Sequence, residues 1–184
     1  VGVGKFGVFS MNERTQMLSR MALYISLGVA LNVLEATLIP LGMIIPLPGA
    51  RIGLANLVTL VALMTESTGF VWAVMGGRIF LASLATGTLF SLPFALSVGG
   101  GVLALTVMKL LRPLVPRVFS VVGLSIMGAV AHNCGQLLVL YLLMPGVGVL
   151  TFLPWLFILA IPSGWFNGYL AQKIISHLPG EDGY

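Results

Sequence analysis

Seven polar side chains stand out because they interrupt otherwise apolar sequence: Glu35, Arg51, Asn56, Arg78, His132, Asn133 and Gln136. His132 and Gln136 are four residues apart and Asn133 lies three before Gln136, so a helix would place them on neighbouring positions of one face. Asn32, three residues before Glu35, joins that acid's face in the same way. An arginine at the centre of a membrane helix costs about 2.5–3.5 kcal/mol on insertion scales, so Arg78 needs a partner or a wet cavity. Glu35 is the acid expected at membrane depth, since Glu13, Glu66, Glu181 and Asp182 fall in polar connecting or terminal segments. One carboxylate cannot neutralise both Arg51 and Arg78. The chemistry that suits this set is capture of an anionic or strongly polar small molecule, with all seven side chains as binding groups. The competing reading is that such groups satisfy one another between helices. Arg51 could also snorkel to the surface.

Other chemistry is poorly served. Cys134 is the only cysteine, which rules out an intramolecular disulfide and a cysteine-based zinc or iron–sulfur site. It reads as a small packed helix residue, and neither a metal nor a cofactor is expected. Gly4-Lys5 looks like the end of a phosphate-binding loop, but the earlier glycine and the following Ser or Thr are missing. His132 as an acid or base would need a second group and an oriented substrate. No catalytic set is expected.

The elements that must position these residues are membrane helices. Of 184 residues, 58% are hydrophobic and 8% charged, with mean hydropathy +1.08. A soluble domain carries roughly a quarter charged residues, and a soluble fold of this length leaves too much surface exposed to hide the apolar excess. Apolar runs at about 17–39, 52–64, 70–90, 93–111, 118–144 and 150–175 are separated by Pro/Gly-rich or polar breaks. The expected fold is all-α, a polytopic bundle of six transmembrane helices. The second run is short and is expected to start inside the membrane depth. These runs are too long and continuous for barrel strands, and open sheet edges are not tolerated in lipid.

Basic residues set the expected orientation. Lys5, Arg14 and Arg20 precede the first span, Lys109, Arg112 and Arg117 flank the fourth loop, and Lys173 ends the sixth span. Those seven of the nine basic residues share one side if both termini are cytoplasmic. Residues 1–16 are then a cytoplasmic segment, 17–175 the transmembrane domain and 176–184 a cytoplasmic tail. Val1 to Ser10 precede Met11, a plausible initiator, and are read as an added leader that lacks the marks of a signal peptide. The net charge of +4 is spread too thinly for a nucleic-acid patch. The expected location is the cytoplasmic membrane of a prokaryote.

Small residues are the remaining signal. Ala22, Ser26 and Ala30 recur every four residues on the first span, a smooth stripe where a partner subunit could dock. Gly164 and Gly168 repeat the pattern on the sixth span, where packing within the bundle is at least as good a reading. Gly99-Gly100-Gly101 is expected to loosen the fourth span.

Three stretches carry a family resemblance: Pro48-Gly49-Ala50-Arg51-Ile52-Gly53-Leu54-Ala55-Asn56, then Gly77-Arg78, then Gly128-Ala129-Val130-Ala131-His132-Asn133-Cys134-Gly135-Gln136. They resemble the Gx transporter family, often labelled heptaprenyl diphosphate synthase component I, which looks related to the S components of energy-coupling factor (ECF) transporters. The resemblance covers about 17–175. It implies a six-helix S-component-like subunit that captures a small molecule from outside, without an ATPase of its own. Its implied partners are a transmembrane coupling protein and two cytoplasmic ATPases, met through the Ala22, Ser26, Ala30 stripe. The ligand would lie toward the outer face near Arg51 and Asn56. The synthase label implies clustered aspartates that hold Mg²⁺ on a diphosphate. This chain has one aspartate, Asp182, in its tail. It is therefore expected not to be an enzyme, and the alternative is a non-catalytic membrane subunit associated with heptaprenyl diphosphate or quinone biosynthesis. A membrane enzyme built on His132 is the third and weakest reading.

Overall fold

The structure, a computed structural model, describes residues 12–38, 52–145 and 148–178. Six α-helices follow in chain order: α1 Glu13–Leu38, α2 Leu54–Thr65, α3 Thr68–Ala85, α4 Leu92–Leu111, α5 Val121–Leu143 and α6 Leu153–Ile175. Short 3₁₀ turns at Arg112–Leu114 and Val149–Phe152 follow α4 and precede α6. No strand occurs among the described residues.

Local sequence explains the helix ends. Proline near the starts of α4 and α6 occupies positions whose N–H would have no intrahelical partner. Ser120 caps α5 by accepting from Gly123 N at 3.0 Å. The third span was expected to reach Phe90, but α3 stops at Ala85. Gly87 sits at φ 68°, the left-handed conformation that ends helices just past the C-cap, and the turn continues to Ser91 before α4 begins.

The helices close into a ring. Each packs on two neighbours in the order α1, α3, α4, α5, α6, α2 and back to α1, and α2 also touches α3. Packing is densest at the α4–α5 and α5–α6 seams, and of the seams around the ring the α3–α4 seam is the thinnest. One end of the ring is filled by an apolar core that includes Leu60, Leu63, Leu105, Leu124 and Ile175. At that end Arg20 pairs with Glu66 at 3.0 Å, and Arg112 Nη2 donates to Met64 O at 3.1 Å.

Large apolar side chains cover the outside as well as the core, and several polar ones are buried. Leu38, Leu110, Val118, Leu142 and Trp155 lie exposed on the outside, while Glu35, Arg78, Gln136 and Asn167 are buried. Such an exterior suits lipid rather than water. By length and composition, α1, α3, α4 with its 3₁₀ extension, and α5 can each cross a bilayer. The chain is a multi-pass helical membrane protein. α2 has 12 residues, about 18 Å of helix against a hydrocarbon layer of about 30 Å. α6 has 23 residues, but its Pro, Gly, Asn, Gln and Lys dilute its apolar character.

The glycines of α4 bring helices together, which corrects the expectation that they loosen that span. A Cβ on Gly135 of α5 would run into Gly99 O and lie 3.0 Å from Gly100 Cα. These backbones touch because no side chain separates them. On the other flank of α5, a Cβ on Gly164 or Gly168 of α6 would lie 2.7 Å from Ile126 Cα or 2.6 Å from Val122 Cα. Packing within the bundle is therefore what the α6 glycines do.

Candidate functional site

The start of α2 organises the polar interior. Gly53, the residue before the helix, has φ 78°, a conformation that suits glycine. Its own flanks offer no side-chain cap, and Glu35 of α1 supplies the acceptors instead. Glu35 is 3% exposed, and its two carboxylate oxygens accept from Gly53 N at 2.8 Å and Leu54 N at 3.0 Å. A carboxylate at this end also faces the positive pole of the helix. From α6, Asn167 Nδ2 donates to Ile52 O at 3.0 Å. From α3, Arg78 Nη2 donates to Asn56 Oδ1 at 3.2 Å. Side chains from three helices thus hold one short helix whose first turn lies inside the bundle.

Arg78 is 4% exposed, and its aliphatic stem lies against α1 at Gly28. A Cβ on Gly28 would come within 3.0 Å of Arg78 Cγ. Across the ring, the His132 imidazole rests over Gly100, where a Cβ would lie 2.7 Å from Cε1. Asn133 Nδ2 donates to Leu156 O of α6 at 2.8 Å. Asn133 therefore joins two helices as well as facing the interior.

Glu35, Asn56, Arg78, His132, Asn133 and Gln136 all line one cavity inside the ring. The cavity has a volume of about 80 Å³, against the roughly 10–15 Å³ that one water needs. It holds more than an isolated buried water. Hydroxyls of Ser83, Thr86, Thr88 and Ser97 extend the wall toward the α3–α4 turn. Among the described residues no Phe, Tyr or Trp lines it, so hydrogen bonds and charge rather than ring stacking would orient an occupant.

Six of the seven expected binding residues are thus brought together, and Arg51 lies outside the described residues. The expectation omitted Asn167, which lines the cavity at 5% exposure. An asparagine within an apolar helix was the available signal, but it sits between Gly164 and Gly168 and was absorbed into their stripe. Ala22, Ser26 and Ala30 lie on the exposed face of α1, away from the cavity. Cys134 is partly buried in α5, and among the described residues no group of three or more His, Cys, Asp or Glu could hold a metal ion.

Comparison with known families adds a name. A family model described as heptaprenyl diphosphate synthase component I matches residues 24–174, from within α1 to the end of α6. The chain belongs to the heptaprenyl diphosphate synthase component I family. The match takes in every helix that contributes to the cavity. Comparison with curated proteins and with solved structures gives no match. The component I label, not the likeness to ECF S components, is what the family match supports.

Proposed function

We propose that the chain is a non-catalytic membrane subunit that binds a small polar or anionic molecule in the cavity enclosed by its six helices. One observation carries this reading: a closed ring of helices gathers Glu35, Asn56, Arg78, His132, Asn133 and Gln136 around a single polar space. The guanidinium of Arg78 favours negative charge there, and Arg51 adjoins the start of α2 in sequence. The family description, heptaprenyl diphosphate synthase component I, supports this setting; on this reading a separate chain carries the catalysis and the subunit serves heptaprenyl diphosphate or quinone biosynthesis. The topology that fits is six membrane passes with both termini on the cytoplasmic side of a prokaryotic inner membrane.

A second reading, uptake as an ECF S component, is favoured by the smooth, exposed Ala22, Ser26, Ala30 stripe on α1. That face suits a coupling subunit served by two ATPases. Equilibrium binding to the full chain in lipid nanodiscs tests the shared core of both readings. An anion panel that includes diphosphates should contain a binder weakened about tenfold or more by Arg78→Ala. Absence of any binder that depends on Arg78 would sink it. Co-purification with a soluble prenyl synthase supports the first setting, and co-purification with an ATPase-bearing coupling complex supports the second.

A further inference from the structure

The cavity contains acceptors that lack donors. Asn167 Oδ1 and Gln136 Oε1 are fully buried and have no hydrogen-bond partner among the described residues. Both side chains belong to residues that are 5% exposed and line the cavity. The Asn167 assignment is anchored by its other end. Its Nδ2 donates to Ile52 O at 3.0 Å and reaches Gly53 O at 3.4 Å, and an exchanged amide would press oxygen against oxygen. A buried carbonyl that gives up water without gaining a donor is costly. The two residues, on α5 and α6, line one space, and unmet acceptors beside it form a pattern that an occupant can complete.

From this we infer that the molecule bound in the cavity carries hydrogen-bond donors, hydroxyl or N–H groups, that meet Gln136 Oε1 and Asn167 Oδ1. The inference rests on the cavity being a binding site and narrows its ligand class. It selects against anions that only accept. A fully ionised isoprenoid diphosphate has negative charge for Arg78 but nothing to offer the two amide oxygens. A hydroxylated or amine-bearing acid, or a heterocycle with ring N–H groups and an acidic substituent, satisfies both. A synthase-associated subunit of this kind would sense or hold a polar effector rather than the prenyl chain, and an uptake subunit would import one.

The test uses the full chain in nanodiscs and anions matched in size and charge but not in donors. The pairs are 2-hydroxyglutarate with glutarate and citrate with tricarballylate, and geranyl diphosphate serves as the acceptor-only diphosphate. The hydroxylated member of a pair should bind about tenfold more tightly or better. Gln136→Met should reduce that preference. Equal binding within the pairs, tighter binding of geranyl diphosphate, or a preference untouched by Gln136→Met overturns the inference. If no probe binds and Arg78→Ala changes nothing, the binding reading fails. Thermal unfolding of the ligand-free protein tests the donor inference separately. Gln136→Met should leave Tm unchanged or raise it, because it removes an unmet acceptor. A fall of about 3 °C or more would show that the amide serves the fold and overturn the inference.

Discussion

The two halves of the helix ring are held together by different physics. In the α4–α5–α6 half, backbones meet directly through Gly99, Gly135, Gly164 and Gly168. Dispersion and close approach supply the adhesion, as expected where lipid offers no hydrophobic driving force between helices. In the α1–α2–α3 half, the contacts at the start of α2 are polar, made by Glu35, Asn56 and Arg78, with Asn167 reaching in from α6. The first half is a wall and the second a clasp. Close packing tolerates little added volume, whereas hydrogen-bonded groups can exchange one partner for another. A cavity at their boundary has one rigid side and one that can respond to an occupant.

This contrast breaks most visibly at Gly135. Gly135→Val should cost about 3 kcal/mol or more, because its Cβ meets backbone rather than a movable side chain. Thermal unfolding in detergent should show a lost or strongly lowered transition, and an unchanged Tm would remove the rigid-wall account. Glu35→Ala comes next. It leaves the Gly53 and Leu54 amides without their acceptor and should cost about 2–3 kcal/mol. Hydrogen exchange should rise at the start of α2 before it rises in α5. Gly28→Ala sharpens the comparison. Its Cβ also collides, but with the stem of Arg78, which can shift. Stability should fall by only about 1 kcal/mol, while ligand affinity, which depends on where the guanidinium sits, should fall more. Arg20→Ala should have the smallest effect. The Arg20–Glu66 pair is 58% exposed on the arginine side, so about 0–1 kcal/mol is expected, measured as a Tm shift that shrinks further in high salt.

Much of this was legible in the residues. Apolar run length located all six helices, four of which are long and apolar enough to cross a bilayer. The second run was expected to be short, and α2 has 12 residues. Six polar residues could be gathered by cost alone, since nothing polar is cheap at that depth. What escaped needed a neighbour. Gly99-Gly100-Gly101 reads as a weak helix until Gly135 is set against it. Asn167 reads as part of a packing stripe until the carbonyl of Ile52 is seen facing it. The end of α3 at Ala85 turned on the left-handed Gly87, a backbone state hidden in an apolar stretch. Family likeness extended to the component I label, and the transport role stays with the second reading.

The central claim is that the polar space inside the ring holds a small molecule through Arg78. It is tested most directly by identifying what the protein carries. Small molecules released from the purified wild-type chain and from Arg78→Ala should be quantified by mass spectrometry after matched lipid exchange. The account predicts one polar, anion-bearing compound near one per chain in the wild type and strongly depleted in the variant. Equal amounts in both proteins, or lipid alone in both, would contradict it.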